Sequence, residues 1–406
     1  MWRWLRRIGL GLGGLIGLAV VGGLVAFAAD PVLIGRYWAV MSGADSPVRV
    51  DTLSPLEPVK GGVGAPLATG EIAAPAGLQT AAVGMEAPLG TQSLLVWSRG
   101  RLVLEWYAPG SGVTSKSNPA SMMKPVLALG VGAAVDRGLM DLDAPLGRYI
   151  KAWAGDARGD ITVRQALSMS TGLGHAPFSL NPWSRYITIW LSDDVNAVAL
   201  ASERAGPPGK GFQYSNVNSQ LVTIALEAAT GRRLADWLSE TVWAPIGAGD
   251  AALWLDRPGG AARGYCCLVA TARDWLRVGL LIKDGGRVGD RQVVSSAWID
   301  AMTAPSPTNP NFGMNIWRAS PHAPLRSYGP AVSFKVPAKE PFLADDMVYF
   351  DGNGGQRVYV SRAKDLVIVR IGQARMDWDD SALPNLVVRG LAEGETTDRS
   401  SGAPPP

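Results

Sequence analysis

The chain has 406 residues, with 38 Lys and Arg against 35 Asp and Glu, two cysteines and two histidines. A formal net charge of +3 with only 18% charged residues supplies no basic face for nucleic acid, and 47% hydrophobic residues can bury a sizeable core. Two cysteines exclude a four-thiolate zinc site or a disulfide scaffold, and two histidines, His175 and His322, exclude a three-histidine metal centre.

The first predicted element is apolar. Arg3, Arg6 and Arg7 precede Ile8–Ala29, a run of 22 residues without a charge. A hydrocarbon core needs about 20 apolar residues, and arginines ahead of them hold the N-terminus in the cytoplasm. The expectation for residues 1–29 is a membrane anchor, with everything after it exported to the periplasmic side. Cleavage at Ala26-Phe27-Ala28 and secretion is the alternative. Gly9, Gly11 and Gly14 fit G-x-G-x-x-G, but no strand precedes them, so no dinucleotide site is read there. Gly9, Gly13 and Gly17 are spaced for close helix packing in a bilayer.

Residues 30–78 are rich in Gly, Pro and Ala and read as a stalk, residues 79–395 as one large domain, and residues 396–406 as a disordered tail. Within the domain, Thr91–Trp106 holds two apolar runs around Ser98-Arg99-Gly100, which predicts a hairpin. Ser121–Gly138 is apolar at helical spacing, and Thr162–Ser170, Ser219–Thr230 and Thr271–Lys283 also read as helices. Met347–Phe350 and Arg357–Gly372 read as strands around Gly352-Asn353-Gly354-Gly355. Strands early, helices in the middle and strands again late predict an α+β fold, with one sheet assembled from both chain ends and a helical lobe inserted.

Three motifs carry chemistry. In Ser121-Met122-Met123-Lys124, the i and i+3 side chains share a helix face, so a hydroxyl and an amine can meet. A buried amine can be neutral near pH 7 and activate the serine. Tyr214-Ser215-Asn216 offers a phenol that, with its pKa lowered by Lys124, can act as general base, and an amide that can hold Lys124 or a substrate carbonyl. As a plain structural motif it would cap the helix that starts near Ser219. Asp351-Gly352-Asn353-Gly354-Gly355-Gln356 lets a ligand approach backbone N–H groups at a strand end.

Together these motifs resemble the serine β-lactamase-like hydrolases, which include class C β-lactamases, D-alanyl-D-alanine peptidases, carboxylesterases and 6-aminohexanoate-dimer hydrolases. The order S-x-x-K, Y-x-N, glycine-containing strand is the same. Asp160–Leu173 is similar to the family's I-T-x-x-x-L-L-x-M-x-S-G-L signature, and Thr271-Ala272-Arg273-Asp274 to its T-A-R-D helix start. The resemblance spans about Leu78 to Ala392. It implies a β-lactamase/transpeptidase-like fold, an antiparallel sheet flanked by helices. It implies two-step acyl transfer on an amide or ester: Ser121 as nucleophile, Lys124 and Tyr214 as base pair, Asn216 beside them. The N–H groups of Ser121 and Asn353 would hold the oxyanion, with Gly352 alongside and Gly355 as the alternative donor. No metal or cofactor is implied, and the partners are a small-molecule substrate and, through the N-terminal helix, a membrane.

One position departs from the pattern. Where β-lactamases and peptidases carry K-T-G or H-T-G, this chain has Phe350-Asp351-Gly352, and an acidic Asp351 is expected to repel a penicillin-type carboxylate. The G-x-G-G-Q form is similar to the 6-aminohexanoate-dimer hydrolase and esterase branch. The alternative function is a catalytically silent penicillin-binding-like or cell-wall-binding protein on an anchor. Elsewhere, Cys266 and Cys267 are expected as two unbridged core thiols, since a bond between neighbours is strained. Trp183, Trp190 and Trp317 are expected in the core, His175 as a structural residue, and His322 in a Pro-rich loop without an evident partner. No G-x-S-x-G elbow for a Ser-His-Asp triad is present.

Overall fold

The computed structural model describes residues 21–23, 25, 27–42, 50, 52–68 and 76–400. Most of the expected anchor lies outside these. Among the described residues no helix is long and apolar enough to cross a membrane.

The centre is a six-stranded antiparallel sheet of order β3-β2-β14-β13-β12-β9. Its early strands are β2 (Thr91–Ser98) and β3 (Arg101–Tyr107), and its late ones are β9 (Trp317–Arg318), β12 (Val348–Gly352), β13 (Gln356–Ser361) and β14 (Leu366–Gly372). The β2–β3 link is a two-residue turn with both residues in the left-handed region, Arg99 at φ 51° and Gly100 at φ 79°. That geometry matches the twist of the flanking strands. The run expected as one strand over Arg357–Gly372 is two, broken by a turn through Asp365 at φ 45°. β14 pairs with β2, Leu366 opposite Ser98, which joins the two ends of the domain.

Both faces of this sheet are covered. Leu95, Trp97, Val358, Val360, Val367 and Val369 face one core, and Leu94, Val96, Tyr359, Leu366 and Ile368 face another. A strand buried on both sides reads as a continuous apolar run, as these do. The first core contains α3 (Met123–Asp136) and α9 (Ala272–Lys283). The second contains α2 (Ala76–Glu86) and α11 (Ala382–Ser400). Gly279 lets α9 approach closely, because a Cβ there would sit 2.5 Å from a Val367 methyl. The inserted lobe holds α3, α4 (Val163–Leu167), α5 (Arg185–Leu191), α6 (Val195–Leu200), α7 (Asn216–Thr230) and α8 (Leu234–Leu238). α10 (Ser296–Thr303), a ribbon of β7 (Arg287–Val288) and β8 (Arg291–Gln292), and a ribbon of β10 (Leu325–Ser327) and β11 (Lys335–Pro337) complete the chain.

Part of the segment read as a stalk belongs to the fold. α1 (Pro31–Met41) buries Leu33 and Ile34, and β1 (Leu56–Val59) pairs with β5 (Ala251–Trp254) in a second sheet of order β1-β5-β6-β4. β4 is Lys116–Ser117 and β6 is Leu268–Thr271. Four residues of strand interrupted by Pro58 leave too little alternation to announce β1. At the other end, α11 runs to Ser400, past the expected start of the tail.

Two further expectations change. Cys266 and Cys267 are bonded to each other, with Cys267 in the left-handed region at φ 72°, a backbone turn that brings neighbouring sulfurs together and that nothing in the local pattern announces. Core burial describes Trp317, 2% exposed, but Trp183 is 51% exposed.

Candidate active site

The turn that carries Ser121 begins with a strained residue. Ala120 sits at φ 52°, where a side chain is disfavoured, and leads into the tight turn Ala120–Met122 that carries Ser121. α3 then starts at Met123 and is buried from Met123 to Ala134, Lys124 included. Lys124 is therefore an amine in the core, and all three of its donor positions are taken. Nζ lies 2.8 Å from Ser121 Oγ, 2.9 Å from Asn216 Oδ1 and 2.9 Å from the Tyr265 carbonyl oxygen. It also stands 4.8 Å from the centroid of the Tyr214 ring. Burial lowers the ammonium from the ordinary lysine range to about 7, against an opposing pull from Asp351.

The three partners differ in one respect. Amide and peptide oxygens only accept, whereas Ser121 Oγ carries a proton of its own. When Lys124 is neutral its lone pair therefore falls to Ser121, and the serine hydroxyl donates into it.

Tyr214 is positioned by what lies behind it. Its ring stacks on Trp317 at 5.7 Å and 26°, and meets Phe312 and Tyr328 edge-on. Its N–H donates to the Tyr328 carbonyl, and the Gln213 N–H before it donates to the Met169 carbonyl. The expected lowering of this phenol does not occur. Burial pushes Tyr214 well above its ordinary value, Asp351 adds to the rise, and a hydrogen bond with Ser121 opposes it only in part. The expectation failed because Lys124 offers Tyr214 its ring face contact, while its N–H groups point at other oxygens.

The supporting signatures have local causes. Thr162 and Gln165 form a capping box on α4, and the turn after it holds the tyrosine loop through Met169 and through Ser170, whose carbonyl accepts from Gly209. Thr171 Oγ1 donates to Asn218 Oδ1 on α7, 2.9 Å away. Ser215 caps α7, so the helix starts at Asn216, three residues before the expected start, and its first residue grips Lys124. The structural and functional readings of Tyr214-Ser215-Asn216 hold together. Thr271 caps α9 with Asp274, and Asp274 also accepts from the Gly249 N–H.

The third motif closes the site from the sheet. Gly352 ends β12 against the turn that carries Ser121, where a Cβ would lie 2.1 Å from the Pro119 carbonyl oxygen. Asn353 is exposed. Gly355 is buried under Trp378, whose ring a Cβ would approach to 2.7 Å. Gln356 fixes the turn by bonding both ways with Gly372, at 2.8 and 2.9 Å.

Asp351 is not the free acidic charge the sequence suggested. Its side chain is 4% exposed and is ion-paired with Arg326 at 2.9 Å and Arg357 at 2.6 Å, while Tyr328 Oη donates to it at 2.5 Å. A carboxylate matched by two guanidinium groups presents little net charge to a substrate, so the expected repulsion is withdrawn. Arg357 lies directly opposite Asp351 across the β12–β13 hairpin, whereas Arg326 comes from β10, a separate ribbon that local reading cannot connect to it. The same holds for Tyr265, Trp317 and Tyr328, which position Lys124 and Tyr214 and belong to no motif. His175 is half-buried, with its pKa lowered by desolvation, and a His322 ring nitrogen lies 2.9 Å from the Ala338 carbonyl oxygen.

Residues 82–382 match the sequence model of the Beta-lactamase family. The chain belongs to that family. Among curated family relatives, the 6-aminohexanoate-dimer hydrolase of Paenarthrobacter ureafaciens is 29% identical over 53% of this chain and 57% of its own length. Esterase EstB of Burkholderia gladioli is 32% identical over 32% of this chain and 36% of its own. These matches thus span little more than half, or less, of each relative. A solved structure, described as a putative 6-aminohexanoate-dimer hydrolase from Bacillus anthracis, has the same fold, with TM-score 0.67 and 17% identity over 91% of this chain and 95% of the other.

Proposed function

We propose that this protein is a serine hydrolase that cleaves an amide or ester bond through an acyl-enzyme on Ser121. The observation that carries the reading is Lys124 Nζ 2.8 Å from Ser121 Oγ, with its pKa brought down to about 7 by burial. Neutral Lys124 takes the Ser121 proton as Oγ attacks the carbonyl carbon. Tyr214, held protonated, donates a hydrogen bond to the leaving group, and the Lys124 proton reaches that group as it departs. Water then attacks the acyl-enzyme with Lys124 again neutral and accepting its proton, which releases the acid and restores Ser121. The N–H groups of Ser121 and Asn353 are assigned to the oxyanion, supported by the fit of Gly352 against the nucleophile turn. The names of the relatives support small amides and esters as the substrate class.

The test is Ser121→Ala against a panel of short-chain esters, linear amide dimers, D-amino-acid amides and a chromogenic cephalosporin. Loss of turnover with unchanged melting temperature is expected; retained turnover sinks the assignment. Labelling of the wild-type chain by a serine-reactive phosphonate separates this reading from a silent binding protein, which would not label.

For the N-terminal segment, the arginines and the 22 uncharged residues support an anchor with the catalytic domain exported. The bonded cysteine pair accords with an oxidising compartment. The mass of the N-terminal peptide from the native host decides between anchor and cleaved leader.

A further inference from the structure

Near the start of the described chain lies a face with few charges and much exposed apolar surface. α1 carries one charged residue, Arg36, and it turns inward: its guanidinium donates to the carbonyls of Leu191, Ser192 and Asp256. Leu33 and Ile34 are buried, while Val32, Trp38 and Met41 are 39%, 64% and 50% exposed. The helix is thus apolar on its outer side as well as its inner one, which a helix facing only water does not maintain.

A second segment continues the face. Residues 173–184 contain no Asp, Glu, Lys or Arg, and they expose Phe178 at 72%, Leu180 at 59% and Trp183 at 51%. The two are joined, since Tyr37 Oη of α1 donates to the Leu180 carbonyl at 2.7 Å. Large apolar side chains exposed together mark an interaction surface.

The chain leading into α1 indicates the occupant. Asp30 caps α1, accepting from the Leu33 N–H, and directly before it residues 21–23, 25 and 27–29 are helical and exposed, Val25 at 64% and Phe27 at 51%. In sequence this helix continues the uncharged run from Ile8. We infer that the face formed by α1 and residues 178–183 lies on a phospholipid bilayer, in the interfacial layer next to the entry point of the N-terminal segment. Tryptophans flanked by apolar side chains suit that layer, with their N–H groups near the headgroups. The inference rests on the proposed anchor and adds a contact made by the folded domain itself. The contact is close to the chemistry: the 173–184 segment follows Thr171, which bonds α7 two residues after Asn216, the residue that holds Lys124.

The experiment places an environment-sensitive fluorophore on Trp38→Cys, Phe178→Cys or Leu139→Cys in the full chain, reconstituted in vesicles of neutral phospholipid with and without spin-labelled lipid. The native cysteines are bonded to each other, so the introduced thiol is the one that reacts. Leu139 is 42% exposed and lies beyond the end of α3 away from Ser121, which makes it the control. Expected are a blue shift and loss of emission on spin-labelled lipid at positions 38 and 178, and neither at 139. If the chain floats with vesicles but 38 and 178 behave like 139, the inference is overturned while the anchor stands. If it does not float, both fail. A blue shift without quenching by lipid, together with crosslinks between copies, assigns the face to a second copy and also overturns the proposal.

Discussion

In the proposed mechanism Lys124 does two things that conflict in most proteins: it is buried and it must change charge. Burial lowers its pKa to about 7, so the neutral form needed to accept the Ser121 proton fills as pH rises through that value. The predicted kcat/KM profile therefore has an ascending limb near pH 7, read with an ester whose own chemistry is independent of pH there. Lys124→Arg keeps the charge but cannot deprotonate, and about 100- to 10,000-fold of kcat is expected to be lost with that base. For stability the sign is the reverse of a salt bridge. The folded state holds this proton less tightly than the unfolded chain, so this residue's contribution improves as pH rises from about 7 toward the ordinary lysine value. Ser121, Lys124, Tyr214 and Asn216 were legible because their spacing survives in the chain. The direction of the Tyr214 shift was not, because it depends on Trp317, Phe312 and Asp351 packed around the ring.

Among the elements, the joint between β12 and the turn carrying Ser121 leaves no room for a side chain. Gly352→Ala places a methyl 2.1 Å from the Pro119 carbonyl, and that backbone cannot yield as a side chain would. The expected result is a loss of about 1–3 kcal/mol in a urea titration and slower phosphonate labelling of Ser121. Gly138→Ala, with open space around it, should cost only its positive-φ strain and leave labelling unchanged. The hairpin at Ser98-Arg99-Gly100 and the caps at Thr162 and Thr271 could be read directly, since each is decided by a few adjacent residues. The start of α7 was read three residues late because Tyr214 and Asn216 look like loop residues until their tertiary partners are known. β13 and β14 merged because both are buried on two faces and their short turn lacks a glycine.

Across the molecule, one buried ionic group ties distant segments together. Asp380, fully buried before α11, bonds Arg326 Nε at 2.7 Å and Arg357 Nη2 at 2.7 Å. Burial alone would raise this carboxyl; the two arginines hold it below the usual carboxylate range. Its contribution is therefore present above the unfolded carboxyl pKa and lost as pH falls through the lower folded value. Asp380→Ala leaves two guanidinium groups short of a counter-charge and is expected to cost about 3–5 kcal/mol, measured by denaturant titration. Because Asp351 shares those arginines and meets Tyr328, the same variant should also lower kcat, whereas Arg362→Ala, which removes an exposed pair with Asp300, should change neither by much. The order strands, helices, strands was sufficient to place one sheet across both chain ends, but the β1–β5 pairing was hidden in a segment whose Gly and Pro content looks like a linker.

The pairing of Ser98 with Leu366 has a consequence for synthesis. When β2 and β3 leave the ribosome, the strand that must cover β2 has not been made, so the hairpin waits with an open edge. The sheet cannot close until the last quarter of the chain is present. A chain stopped just before Val348 would keep the nucleophile, Lys124 and Tyr214 yet lack the strands that cover β2, and would meet the cell as an aggregate or a protease substrate. Such a truncation, expressed beside the intact chain, should be lost from the soluble fraction even though it encodes the whole of the first two motifs.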